Sequence, residues 1–151
     1  MYIIPNCNRS GTTPAHDWRN YPDHIARFTE RLRGVVIECR GAVDVMQQHD
    51  GPDTLHYCDP PYVQSTRNTE RGNATYNHDM TDREYIELAK FLWRASGAVA
   101  ISGYPSPLYD ELYGHWNRFF LASLADGARK RTECLWLNEK AERGIQMRLL
   151  P

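Results

Sequence analysis

Thr54-Leu55-His56-Tyr57-Cys58-Asp59-Pro60-Pro61-Tyr62 is the stretch that decides how this chain folds. Its first five residues are a short hydrophobic run of strand character, and the run closes on a carboxylate, two consecutive prolines and an aromatic. With each residue type used at about 5%, a specified tetrapeptide arises by chance in roughly one chain in a thousand of this size, so Asp59-Pro60-Pro61-Tyr62 is read as a candidate active site rather than a plain turn. Each proline fixes its φ and lacks an N–H, so the corner offers carbonyl acceptors and a carboxylate without competing donors. An exocyclic amino group, whose lone pair is normally delocalised into its ring, can donate both protons there, to the Asp59 carboxylate and the Pro60 carbonyl. That favours a more pyramidal, nucleophilic nitrogen, while Tyr62 stacks on the ring and holds it in line with an electrophile. The reaction class is attack by an amino nitrogen.

Outward from this corner, helix and strand signals alternate. Before it, Ile25, Phe28 and Leu32 recur at helical spacing from Pro22-Asp23, with Gly34 as a C-terminal stop. Val35-Val36-Ile37 reads as a short buried strand. Ala42, Val43, Val45 and Met46 suggest a short helix ended by Asp50-Gly51-Pro52, and Thr54 to Cys58 form the next strand. Residues 1–20, with Pro5, Asn6, Asn8, Ser10, Gly11 and Pro14, carry no apolar period and are expected to be irregular.

After the corner, residues 63–80 make a polar loop longer than a compact domain usually keeps without a use for it. It is expected to be a substrate-facing lid, the alternative being an idle insertion. Thr81-Asp82-Arg83-Glu84 is a capping box, and Tyr85, Leu88, Ala89 and Leu92 then line one helical face, with Gly97 as the stop. Ala98 to Ile101 read as a strand closing on Ser102-Gly103-Tyr104. Ser106-Pro107 opens a helix that stops at Gly114, and Trp116–Leu121 and Cys134–Leu137 complete the strands. Such alternation predicts one open α/β sheet, with ligands bound beyond the carboxyl ends of its strands, where both polar corners fall.

The bulk properties restrict function further. A chain of 151 residues, 41% hydrophobic and 25% charged, suits one globular domain. The longest aliphatic run, Ala98–Ile101, is far too short to cross a bilayer, and Tyr2-Ile3-Ile4 before Pro5 is no signal-peptide core, so no membrane association and a cytoplasmic location are expected. Cys7, Cys39, Cys58 and Cys134 form no C-x-x-C pair and read as reduced thiols; the six histidines lack metal-site spacing, so no metal is expected. The net charge of -1 gives no global attraction to nucleic acid, so any such attraction is local. Fifteen of the eighteen basic residues are Arg, which suits bidentate phosphate and guanine contacts, although a GC-rich genome gives the same bias.

Tyr57-Cys58-Asp59-Pro60-Pro61-Tyr62 resembles motif IV of the DNA adenine-N6 methyltransferases, in the Dam-like class common in phages and prophages. The resemblance extends to Arg31–Glu38 before the corner, Ile101–Pro105 after it and Arg131–Asn138 near the end. It implies a Rossmann-like S-adenosylmethionine-dependent methyltransferase fold, S-adenosylmethionine as methyl donor, and double-stranded DNA whose target adenine is flipped into a pocket. Asp59 is then expected to bind adenine N6 and border the cofactor, with Pro60 as second acceptor, Pro61 completing the corner and Tyr62 as stacking platform. By the same similarity Ser102 and Tyr104 lie beside the base pocket, and Tyr76 and His78 in the lid join them. Arg67, Arg71, Arg129, Lys130 and Arg131, expected in loops flanking the site, are candidates for phosphate contacts.

The departures from the family pattern are equally specific. All ten glycines are isolated and no G-x-G exists, so the glycine-rich turn that cradles the cofactor, and the acidic residue after it, are missing; Gly41 stands where relatives carry an acid. The fold is therefore expected to be N-terminally truncated, lacking its first strands, with residues 1–20 a remnant of the target-recognition segment and 21–151 the C-terminal part of the catalytic domain. An exposed sheet edge, re-pairing, self-association or a separate N-terminal half follows from that. The alternatives are a non-catalytic DNA-binding remnant, or methylation of another amino group such as cytosine N4.

Overall fold

The computed structural model describes residues 14–66, 79–125 and 129–149. The chain divides into two units, residues 1–39 and 40–151. In the first, helix α1 runs Pro14–Arg31; its Trp18, Tyr21, Ile25 and Phe28, and Leu32 just after it, are each about half exposed or more, at alternating spacings of three and four. The helix thus starts well before the expected Pro22, and residues 14–20 are helical rather than irregular. Pro14 is pre-organised for a first helical position, and the apolar stripe extends back to Trp18, carrying the helix past Pro22. Gly34, at φ 77°, takes the left-handed conformation that ends the helix, as its sequence position suggests.

Val35-Val36-Ile37 is not a strand: the segment is irregular, and Ile37 is 89% exposed. A β-branched run becomes a strand only where a neighbour takes up its backbone hydrogen bonds, and no ladder partner exists for it among the described residues.

The second unit is a mixed α/β layer structure around a four-stranded sheet. Its elements are α2 Ala42–His49, β1 Leu55–Cys58, α3 Asp82–Leu92, β2 Ala98–Gly103, α4 Pro107–Tyr113, β3 Asn117–Ala125, β4 Arg129–Leu137 and α5 Glu139–Leu149. The sheet order is β1-β2-β4-β3. β1 and β2 are parallel, with Cys58 opposite Ile101, and α3 is the crossover between them. β4 runs antiparallel to both neighbours, placing Cys134 opposite Gly103 and Ser123 opposite Arg131. The Rossmann-like α/β reading from the sequence holds for this unit.

One face of the sheet supports the main core, where Val99, Ile101, Cys134 and Trp136 meet Tyr85, Leu88 and Leu92 of α3 and Tyr109, Leu112 and Tyr113 of α4. Val43 and Met46 of α2 pack against the same cluster. The opposite face carries a smaller cluster of Ala100, Leu137 and Ala141. β1 alternates, burying His56 and Cys58 and exposing Leu55 and Tyr57, and among the described residues it pairs only with β2. Among the described residues β1 is thus an edge strand of the sheet.

Local details differ from the sequence reading in three places. α3 forms with its full capping box, but it ends at Leu92, before Gly97. Gly97 serves instead as a close-packing point, since a Cβ there would lie 2.5 Å from the Thr54 carbonyl oxygen. The two expected short strands are nine-residue arms, so Arg129, Lys130 and Arg131 lie in β4 rather than a loop, because pairing with Ser123, Leu124 and Ala125 carries the ladder onward. α5 carries no apolar stripe strong enough to announce it; it is set by Asn138, whose Oδ1 accepts from the Ala141 and Val99 N–H groups while its Nδ2 donates to the Gly97 carbonyl.

At the amino ends of β1 and β2, Asp50 does more than end α2. Its carboxylate accepts from Ser96 N at 2.8 Å, Gly97 N at 3.0 Å and the buried His56 Nε2 at 2.9 Å. The Ser96 amide first, then the His56 bond, hold Asp50 down to about 2.

Candidate active site

The parallel register of β1 and β2 sets their carboxyl ends side by side, so the two polar corners found in the sequence meet. β1 ends on Cys58, a buried thiol 3.7 Å from the Met46 sulfur and pushed up to about 11 by burial, so it is an inert core group. Asp59 follows in an exposed position, and Pro60, Pro61 and Tyr62 are partly buried. Together these four residues line a cleft of about 280 Å³.

Ser102, at the end of β2, reaches across to this corner. Its Oγ lies 2.8 Å from Asp59 Oδ1 and 3.2 Å from the Cys58 carbonyl oxygen, and its single proton serves one acceptor at a time. The bond orients the carboxylate and occupies Oδ1, leaving Oδ2 as an acceptor at the cleft. Two residues on, Tyr104 packs edge-to-face against Tyr62, with ring centroids 4.4 Å apart and planes at 60°. Burial first, then the Asp59 and Glu133 charges, push the Tyr62 hydroxyl up to about 12. Tyr62 is therefore a neutral ring at physiological pH, suited to stacking and not to proton abstraction.

Behind the cleft, the buried Tyr85 hydroxyl of α3 donates to the Pro61 carbonyl. Its ring meets Tyr109 at 6.0 Å, and Tyr109 in turn meets Trp136 at 5.1 Å and Tyr113 at 5.3 Å. The corner thus rests on an aromatic column that runs into the core. Tyr85 was legible in the sequence only as one of four apolar positions on a helical face; the polar end of its ring was the unread signal.

Of the residues singled out from sequence, Asp59, Pro60, Pro61, Tyr62, Ser102 and Tyr104 come together at this corner. Tyr76, His78, Arg67 and Arg71 lie outside the described residues. Arg129, Lys130 and Arg131 sit on β4, and because Cys134 is opposite the last residue of β2, the register carries them past the carboxyl end of that strand. Three residues at strand rise put Arg131 about 10 Å beyond it, at the end of the sheet that bears Asp59.

An oriented carboxylate, donor-free prolines and a neutral aromatic platform are what binding a planar amino-bearing ring requires. Residues 11–122, about three quarters of the chain, match the D12 class N6 adenine-specific DNA methyltransferase family. The chain belongs to this family. No curated protein matches it. Family membership makes the chain a methyltransferase by descent, with DNA as the substrate class; enzymes of this kind use S-adenosylmethionine as methyl donor. Among the described residues no glycine-rich strand-to-helix turn borders Asp59, and no helix is long and apolar enough to cross a membrane.

Proposed function

We propose that this chain carries the nucleophile-side half of a site-specific DNA adenine-N6 methyltransferase active site. The observation that carries the reading is the Asp59 carboxylate, fixed by Ser102 at the mouth of the cleft and flanked by the Tyr62–Tyr104 ring pair. A target adenine flipped out of double-stranded DNA stacks on Tyr62 and donates its N6 protons to Asp59 and the Pro60 carbonyl. Those bonds concentrate the lone pair on N6 and aim it away from the ring plane, while stacking holds the base in line. S-adenosylmethionine, when bound, supplies the electrophilic methyl group, and Asp59 stabilises the positive charge that develops on N6.

Arg129, Lys130 and Arg131 are taken as phosphate contacts, because the β4 register extends them past the strand ends that carry the site. Arg67 and Arg71 are proposed for the same role, and Tyr76 and His78 as further walls of the base pocket. Residues 1–20 are proposed as the end of a target-recognition segment and 21–151 as the C-terminal part of the catalytic domain, working in the cytoplasm where its DNA is. We take the cofactor cradle as supplied by an N-terminal half, upstream or in trans, or through association.

A second reading is a DNA-binding remnant that no longer catalyses, favoured by the ten isolated glycines. The test combines the 151-residue chain with a polypeptide bearing a glycine-rich N-terminal half, labelled S-adenosylmethionine and duplex DNA, followed by mass spectrometry of the nucleosides. N6-methyladenine supports the proposal. N4-methylcytosine moves the reaction to another amino group, and no methylated base leaves the remnant.

A further inference from the structure

The corner contains one loose joint. Pro60 and Pro61 have their φ angles fixed by their rings, and Asp59 and Pro60, each followed by a proline, are confined to extended ψ. Pro61 is followed by Tyr62, so of the two proline residues' torsions its ψ is the one that no ring restricts. That angle decides where the Pro61 carbonyl points and, through the next peptide plane, where Tyr62 leaves the corner.

The Pro61 carbonyl is also the group that Tyr85 holds. Tyr85 is itself firmly packed. It is 2% exposed, lies in the first turn of α3 just after the Thr81–Glu84 capping box, and packs its ring on Tyr109 at 71° between planes. A hydroxyl bond from such an anchor restrains that torsion.

We propose that Tyr85 is a positioning residue: its bond to the Pro61 carbonyl restrains the Pro61 ψ, and so helps hold the Tyr62 ring in its packing against Tyr104 beside Asp59. The proposal rests on the reading of this corner as an amino-accepting site, but the geometry it asserts is measurable without turnover. Tyr85 touches no substrate; it acts through Pro61 and Tyr62.

The experiment uses the full chain and Tyr85→Phe, which keeps the buried ring and removes only the O–H. In the unaltered protein the Pro61 carbonyl carbon should show a solvent-isotope shift from the Tyr85 hydroxyl, a measurement that needs no variant. In Tyr85→Phe the Tyr62 ring resonances should lose the ring-current displacement caused by Tyr104, while Cys58 and Ser102 backbone resonances stay put. With the cradle-bearing half supplied, adenine methylation should fall roughly tenfold in kcat with KM for DNA within twofold, as expected for lost orientation rather than lost binding. Tyr62 resonances unmoved by the substitution, or no isotope shift at Pro61, overturn the proposal. Transfer that survives Asp59→Ala, or is never seen, instead overturns the reading of the corner and leaves the Tyr85 result to be decided by the resonances.

Discussion

Ser102 Oγ lies 2.8 Å from Asp59 Oδ1 across two parallel strands whose carboxyl ends are in register. Forty-three residues of chain separate the two, and the bond exists because α3 returns β2 alongside β1. Removing it with Ser102→Ala frees the carboxylate to rotate. Single-turnover transfer should drop roughly tenfold, about 1.4 kcal/mol of barrier, with the melting temperature little changed. Ser102→Thr, which keeps a hydroxyl, should recover part of the loss.

Tyr62 is predicted to act through its ring. Tyr62→Phe should retain transfer within about threefold, and Tyr62→Ala should lose it by about a hundredfold as stacking and orientation go. Its folded-state value, about 12 against an ordinary 10, lies above the unfolded one. The associated stability is complete below pH 10 and is lost as pH rises toward 12. Absorbance titration near 295 nm of the unaltered chain and Tyr62→Phe should differ by one late-titrating phenol.

Asp50 has the opposite sign. Its value of about 2 lies below the ordinary 3.8, so its stabilisation is complete above about pH 4 and disappears as pH falls toward 2. Thermal unfolding between pH 7 and 2 should show a steep decline over that window, flattened in Asp50→Asn, whose melting temperature should already be lowered at pH 7.

Gly97→Ala tests the close approach of β2 to the turn before β1. A methyl 2.5 Å from the Thr54 carbonyl oxygen forces backbone apart, and a loss of about 1–3 kcal/mol in chemical denaturation is expected. Gly144→Ala, with nothing within 4 Å, should be neutral or slightly stabilising by comparison.

The legible part of this fold was its locally determined part. Thr81 with Glu84 forms its capping box, Ser106 caps α4 ahead of Pro107, and the apolar spacing of Tyr85, Leu88, Ala89 and Leu92 matches the buried face. The corner was readable because Asp59 to Tyr62 are contiguous. What failed depended on partners. Val35–Ile37 has strand composition without a described neighbour, and Arg129–Arg131 are strand only because Ser123–Ala125 lie opposite. Asp50 looked like punctuation, since its bonds to Ser96 and Gly97 span more than forty residues. Tyr85 looked like core, since a hydroxyl bond to Pro61 leaves no periodic trace.

The most direct test of the account is the rate of N6-methyladenine formation in duplex DNA by the chain with its cradle supplied, compared between the unaltered protein and Asp59→Ala. Measurable N6-methyladenine is expected from the former and a loss of at least a thousandfold in the variant, about 4 kcal/mol of barrier, with DNA affinity retained. Equal rates from the two proteins would contradict it.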